Sequence, residues 1–177
     1  LLRDPIININ KLIKKKKDTF KNENYFVCIG RLTKQKNFSI VIDNYKKILQ
    51  IDNDLKLYII GEGEDYHLLK DKIHKNKLEK NIFLIGYQEN VFKYLKNSRF
   101  FLLSSLWEDP GWVLVEAAAS NTPIISSDCK NGPQEFLENN LGGILFKNND
   151  SESLINAIQS FYNLSKEEIW KKKIFSK

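Results

Sequence analysis

Methionine is absent from this 177-residue chain, and cysteine occurs only twice, at Cys28 and Cys129. A sequence that opens on Leu1 and holds no methionine is expected to be a piece of a longer protein. Two cysteines cannot build a disulfide framework, and such sparing use points to a reducing, cytoplasmic setting. Histidine is equally scarce. His67 and His74 stand seven apart on one helix-like segment, too far apart for one metal ion, and both read as ordinary helix residues. No metal site is therefore expected. Long apolar runs are missing too: none approaches the roughly 20 residues of a membrane-spanning helix. The chain lacks G-x-G-x-x-G after its first strand-like segment and has no P-loop, which excludes the dinucleotide fingerprint and the P-loop nucleotidases. Ser104, Ser105, Ser126 and Ser127 lack the G-x-S-x-G setting of a hydrolase elbow.

What is present is ordinary for one soluble globular domain: 42% hydrophobic and 28% charged residues. The net charge of +6 is unevenly spread, because residues 1–50 hold 12 Lys and Arg against 4 Asp and Glu. Lys11 and Lys14 to Lys17 supply much of that excess. No aromatic residue interleaves these lysines and no nucleic-acid module is visible, so no nucleic-acid partner is expected. The cluster reads either as a solvated connector or as a weak contact with an anionic membrane surface.

Strand-like and helix-like segments alternate. Strands are expected at 25–29, 55–60, 82–85, 99–103, 123–126 and 143–146. Helices are expected at 38–51, 65–76, 91–97, 111–120, 134–139 and 151–164, with a further one over 167–175. Asp65 is well placed to cap the second. Strands apolar on both faces and alternating with helices imply a doubly wound, Rossmann-like α/β fold around a parallel sheet. Residues 1–24 are polar and irregular and read as a linker, leaving 25–177 as the domain. Ligands of such sheets bind beyond the carboxyl ends of the strands, which selects five loops: 30–37, 61–64, 86–90, 104–111 and 127–133.

Three of these loops carry candidate chemistry. In GRLTKQKN, Gly30 permits a tight exit from the strand, and Arg31 and Lys36 can grip phosphate oxygens. The alternative is an exposed basic loop. GEGE is a weak phosphate cradle and reads better as a tight turn. Tyr87, in GYQEN, can stack on a base or pack at the domain edge. The most informative run is SSLWEDPGWVLVEAAAS. There Glu108 and Glu116, eight apart, bracket a loop and the first turns of a helix opened by Gly111. Free N–H groups at a helix start favour phosphate, so two acids beside them suit sugar hydroxyls. For Glu116 alone, helix-dipole placement is a rival reading.

Four segments in register, GRLTKQKNFSIVIDNY, LYIIGEGEDYHLL, IFLIGYQENVFKYLKNSRFFLLSS and WEDPGWVLVEAAASNTPIISSDCKNGPQEFL, resemble the C-terminal domain of retaining GT-B-fold glycosyltransferases. The group is the glycosyl transferases group 1 family, family four. Asp4-Pro5-Ile6 is similar to the linker that opens this domain. The resemblance implies a donor-binding half of a two-domain enzyme. It would move a sugar from a nucleotide-diphosphate sugar to a glycan or lipid-linked acceptor in cell-surface polysaccharide or lipopolysaccharide synthesis. D-C-x-x-G-P-x-E is similar to members that use UDP-sugars. By matching position, Arg31 and Lys36 would neutralise the diphosphate, Glu116 would hold the ribose, and Glu108 would touch the transferred sugar. Gly111, Trp112, Val113 and Leu114 would face sugar and phosphates with their backbone N–H groups, and Tyr87 would line the base. The family needs no metal, so no cofactor is implied. Asp109 and Trp112 depart from the usual glycine and smaller residue, next to where the donor sugar would lie. The acceptor would be held by a separate N-terminal domain, so the isolated domain is expected to transfer nothing. A GT-B epimerase or phosphorylase, or an inactive binding module, are the competing readings.

Overall fold

The computed structural model describes residues 23–109, 111–138 and 140–175. The lysine cluster at 11–17, the motif at 4–6 and all but the last two residues of the expected linker lie outside that range.

Six parallel strands form one sheet: β1 (Tyr25–Ile29), β2 (Lys56–Ile60), β3 (Ile82–Gly86), β4 (Phe101–Leu103), β5 (Ile124–Ser127) and β6 (Ile144–Phe146). Their order is β3-β2-β1-β4-β5-β6. The chain first winds outward from β1, returns to β4 beside it, and winds outward the other way. That reversal between β1 and β4 is the topological switch point of a Rossmann-like sheet.

Side chains alternate along each strand, so each strand serves two cores. Phe26 and Cys28 of β1, Leu57 and Ile59 of β2, and Leu102 of β4 face one side. They pack against α1 (Phe38–Asp43), α2 (Tyr45–Ile51), α3 (Tyr66–Lys75) and α7 (Ser151–Asn163). Tyr25, Val27 and Ile29, with Tyr58, Ile60, Phe101 and Leu103, face the other side. These meet α4 (Phe92–Leu95) and α5 (Trp112–Ala119), with Leu137 after the short α6 (Pro133–Phe136). Each fully buried leucine or isoleucine contributes about 1.5–3 kcal/mol, so the two cores together set the register of the site. A last helix, α8, spans Lys166–Phe175. Among the described residues no helix is long and apolar enough to cross a membrane.

Two local expectations are corrected. The helix expected over 38–51 is two helices broken at Asn44, although the apolar spacing runs through. Asn44 is buried, and its amide donates to the Ile40 carbonyl and to Ser151 Oγ. The side chain thus competes with the backbone ladder and ties α7 to the break. Asp65 does stand at the start of α3, but its side chain accepts no capping hydrogen bond there. The start is held instead by the main chain, with Asp65 N–H donating to the Leu32 carbonyl at 2.9 Å.

Glu23 and Asn24, placed with the linker by sequence, are tied to the amino end of the sheet. Tyr58 O–H donates to Glu23 at 2.5 Å, and the Asn24 amide donates to both oxygens of Asp52. Tyr162 on α7 donates to the same Asp52.

Candidate donor site at the switch point

The loops leaving β1 and β4 meet where the sheet reverses. Their backbones are laced together: Leu106 N–H donates to the Gln35 carbonyl, and the Gln35 amide to the Trp107 carbonyl. Ser104 O–H donates to the Lys36 carbonyl at 2.8 Å.

Across this seam, Lys36 Nζ contacts both oxygens of Glu108, at 2.6 and 2.8 Å. The pair is 72 residues apart in sequence. Glu108 is 2% exposed, a cost that only a close partner offsets. Gly30 makes the pairing possible. A Cβ there would stand 3.0–3.2 Å from the aliphatic carbons of Lys36, so the bare glycine lets that stem lie across the strand end. Arg31, next in sequence, is exposed and has no ion-pair partner among the described residues. Within the first loop Lys36 is thus paired with Glu108, while Arg31 and Lys34 are exposed.

Gly111 opens α5 in the left-handed region, φ 76° and ψ 42°. Its would-be Cβ stands 3.5–3.6 Å from the Glu108 side chain, so glycine is needed for the turn rather than for space. The helix start thus lies directly against Glu108. The Leu114 N–H is used inside the helix, by the Gly111 carbonyl. Glu116 follows in the second turn, half-buried. The structure therefore brings Gly30, Lys36, Glu108, Gly111 and the start of α5 together. Trp112, first residue of that helix, and Trp107 are 43% and 47% exposed. Tyr87 lies on the same side of the sheet beyond β3, 68% exposed, with its N–H 3.4 Å from Glu62 Oε1.

GEGE packs against the first loop instead of forming a free-standing turn. A Cβ at Gly61 would stand 1.9 Å from the Gly30 carbonyl oxygen, and one at Gly63 2.3 Å from that of Leu32. The two glycines let the loop after β2 lie backbone to backbone against the loop after β1, where Leu32 N–H donates to the Glu62 carbonyl. His67 and His74 stay ordinary: His67 packs edge-on to Tyr66, and His74 pairs with exposed Glu79.

Sequence reasoning missed the serines. Ser105, fully buried, donates to Glu108 Oε1 at 2.5 Å, and Ser127 O–H donates to the Ser105 carbonyl at 2.7 Å. Considered only as nucleophiles, they gave no signal. The informative sign was their position, three residues before an acid and at the end of a strand. Cys129 is buried beside them. Burial pushes its thiol up, the Ser127 hydroxyl opposes that, and the Glu108 charge adds to it.

A parallel 3-2-1-4-5-6 sheet with a charged, glycine-lined seam at its switch point defines a Rossmann-like α/β domain. The glycosyl transferases group 1 profile matches residues 10–174, and the chain belongs to that family. It is 42% identical over 126 residues to an uncharacterized glycosyltransferase of Methanocaldococcus jannaschii, covering 71% of this chain and 31% of that protein. It is 32% identical over 157 residues to the UDP-Gal:alpha-D-GlcNAc-diphosphoundecaprenol alpha-1,3-galactosyltransferase of Escherichia coli, covering 87% and 40%. Among solved structures, TarM of S. aureus in complex with fondaparinux, alpha-GlcNAc-glycerol and UDP superposes with a TM-score of 0.80 at 27% identity, covering 89% of this chain and 32% of that one. The chain thus spans about a third of the length of the curated relatives it matches.

Proposed function

We propose that this chain is the donor-binding part of a retaining glycosyltransferase that takes a UDP-sugar and delivers the sugar to a glycan or lipid-linked acceptor in cell-surface polysaccharide synthesis. The observation that carries the reading is the Lys36–Glu108 pair, set across the switch point and against the glycine-opened start of α5. A cation, a buried carboxylate and free helix N–H groups are the three kinds of group that a sugar diphosphate requires. UDP is favoured by the complex of TarM and by the name of the E. coli relative, which also supplies the lipid-linked acceptor.

In this reading Arg31 and Lys36 meet the diphosphate, helped by the N–H groups at Gly111, Trp112 and Val113. Glu116 accepts from the ribose hydroxyls, Glu108 from the transferred sugar, and Tyr87 lines the base. The bond between the anomeric carbon and the phosphate oxygen breaks, and the departing diphosphate gains charge that the two cations stabilise. The acceptor hydroxyl gives its proton to the departing oxygen and attacks from the same face, which retains the anomeric configuration. Charge neutralisation by side chains does not call on a resident metal. Acceptor positioning and water exclusion fall to a partner domain, so the chain alone binds nucleotide without transferring sugar.

Titration of the chain with UDP, GDP and ADP, followed by NMR or calorimetry, tests the assignment; saturable binding of UDP is expected, and silence toward all three would overturn it. Glu116→Ala should weaken UDP binding by about 1–3 kcal/mol, the scale of a lost hydrogen bond to a charge. Inorganic phosphate binding should hardly change. Equal losses for both ligands would remove Glu116 from the ribose.

A further inference from the structure

We propose that Ser105 is a positioning residue that fixes which oxygen of Glu108 meets the donor sugar; this rests on the donor-site reading above. A carboxylate offers about four lone-pair directions, two on each oxygen. Oε1 accepts from Lys36 at 2.6 Å and from Ser105 at 2.5 Å, so both of its directions are used. Among the described residues Oε2 accepts from Lys36 alone, at 2.8 Å. One direction on Oε2 is left for an incoming hydroxyl, and Oε2 is the oxygen that lies beside Gly111, 3.6 Å from where a Cβ would stand. The open acceptor therefore faces the start of α5, where phosphate is expected. A sugar hydroxyl on Oε2 and a phosphate on the helix N–H groups are neighbours, as they are in a sugar diphosphate.

Ser105 can hold this orientation because it is itself held. It is fully buried at the exit of β4, and its carbonyl accepts from Ser127 of β5. Ser104, one residue earlier, fixes the main chain of Lys36. Two adjacent serines thus anchor the two halves of the ion pair from one strand end. Without the Ser105 hydroxyl, Oε1 and Oε2 become equivalent partners of Lys36. The carboxylate can then turn about its terminal bond, and the sugar loses a defined acceptor while the diphosphate keeps its cations.

The test uses the full-length protein that contains this chain, with UDP and with whichever of UDP-glucose, UDP-galactose, UDP-GlcNAc and UDP-GalNAc the wild type turns over. Ser105→Ala should lower kcat about ten- to hundredfold, the size of a lost hydrogen bond to a charge, and leave the Kd for UDP within about twofold. In a Glu108→Gln background the same substitution should cause no further loss, because Ser105 acts through that carboxylate. Three results would overturn the proposal: an unchanged kcat, a UDP affinity that falls as far as kcat, or losses that add in the double variant. A wild type that binds no nucleoside diphosphate would instead refute the donor-site reading itself.

Discussion

Replacing Lys36 by methionine keeps the length of its stem over Gly30 and removes only the charge. The ion pair it leaves behind is almost dry, with side-chain exposures of 14% for Lys36 and 3% for Glu108. Of the hydrogen bonds now made to Glu108, only that from Ser105 would remain. Stranding one member of a buried pair costs about 3–5 kcal/mol. For a domain of this size each kcal/mol moves the melting temperature by about 2–4 °C, so Lys36→Met should lower it by about 6–20 °C. Urea denaturation followed by tryptophan fluorescence gives the same quantity at constant temperature. The diagnostic step is the double variant. Glu108→Gln removes the stranded charge and should recover at least about 2 kcal/mol in the Lys36→Met background. A loss below about 1 kcal/mol, the value of an exposed pair, or single costs that simply add, would refute the claim that the charges are held as a buried unit.

Three further outcomes follow from other parts of the fold. Gly61→Ala should cost more than about 4 kcal/mol or abolish soluble expression, because its Cβ would meet the Gly30 oxygen at 1.9 Å. Gly111→Ala, which meets only ordinary contacts, should cost about 1–2 kcal/mol of left-handed backbone strain; similar losses for the two would contradict the close-approach argument. Burial pushes the Asp52 carboxyl up, but the Tyr162 hydroxyl and Asn24 amide outweigh it and hold the group below its usual range. A depressed folded value means stability that is present above the unfolded pKa of about 3.9 and lost as pH falls through the folded one. Urea midpoints should therefore fall less steeply in acid for Asp52→Asn, and an unchanged slope would rule this linkage out. Cys28 and Cys129 are buried and burial pushes both thiols up, so a thiol reagent should count none in the folded chain and two in guanidinium; rapid labelling of either in the native state would contradict their placement.

Most of the architecture was legible because the signals were local. Runs such as YFVCI and LYII are apolar on both faces and can only be interior parallel strands. Their alternation with helices placed the candidate loops at the carboxyl ends of the strands. What stayed hidden depended on partners distant in sequence. Nothing in residues 38–51 announces that Asn44 will bond Ser151, and nothing in Gly61 or Gly63 names Gly30 and Leu32 as neighbours. Arg31, Lys36, Glu108 and Gly111 could be nominated singly by residue type and loop position. That Lys36 and Glu108 form one closed pair while Arg31 stands exposed is a property of the β1–β4 seam. Ser105 acts as a hydrogen-bond donor to Glu108, a role that no local motif marks.

The contact between the first two loops has a consequence for how this rim can vary. At Gly30 an added carbon would press only on the flexible Lys36 stem, but Gly61 and Gly63 meet backbone carbonyl groups with no room for one. Mutation of Gly61 or Gly63 has no graded outcomes. The opposite rim, Trp107, Asp109, Trp112 and Lys130, is exposed, and its side chains can change size and charge without moving a backbone. One half of the rim is thus a fixed frame and the other an interchangeable bezel. Under the donor-site proposal, a library aimed at altered sugar selectivity belongs on those four positions, with the glycine half left untouched.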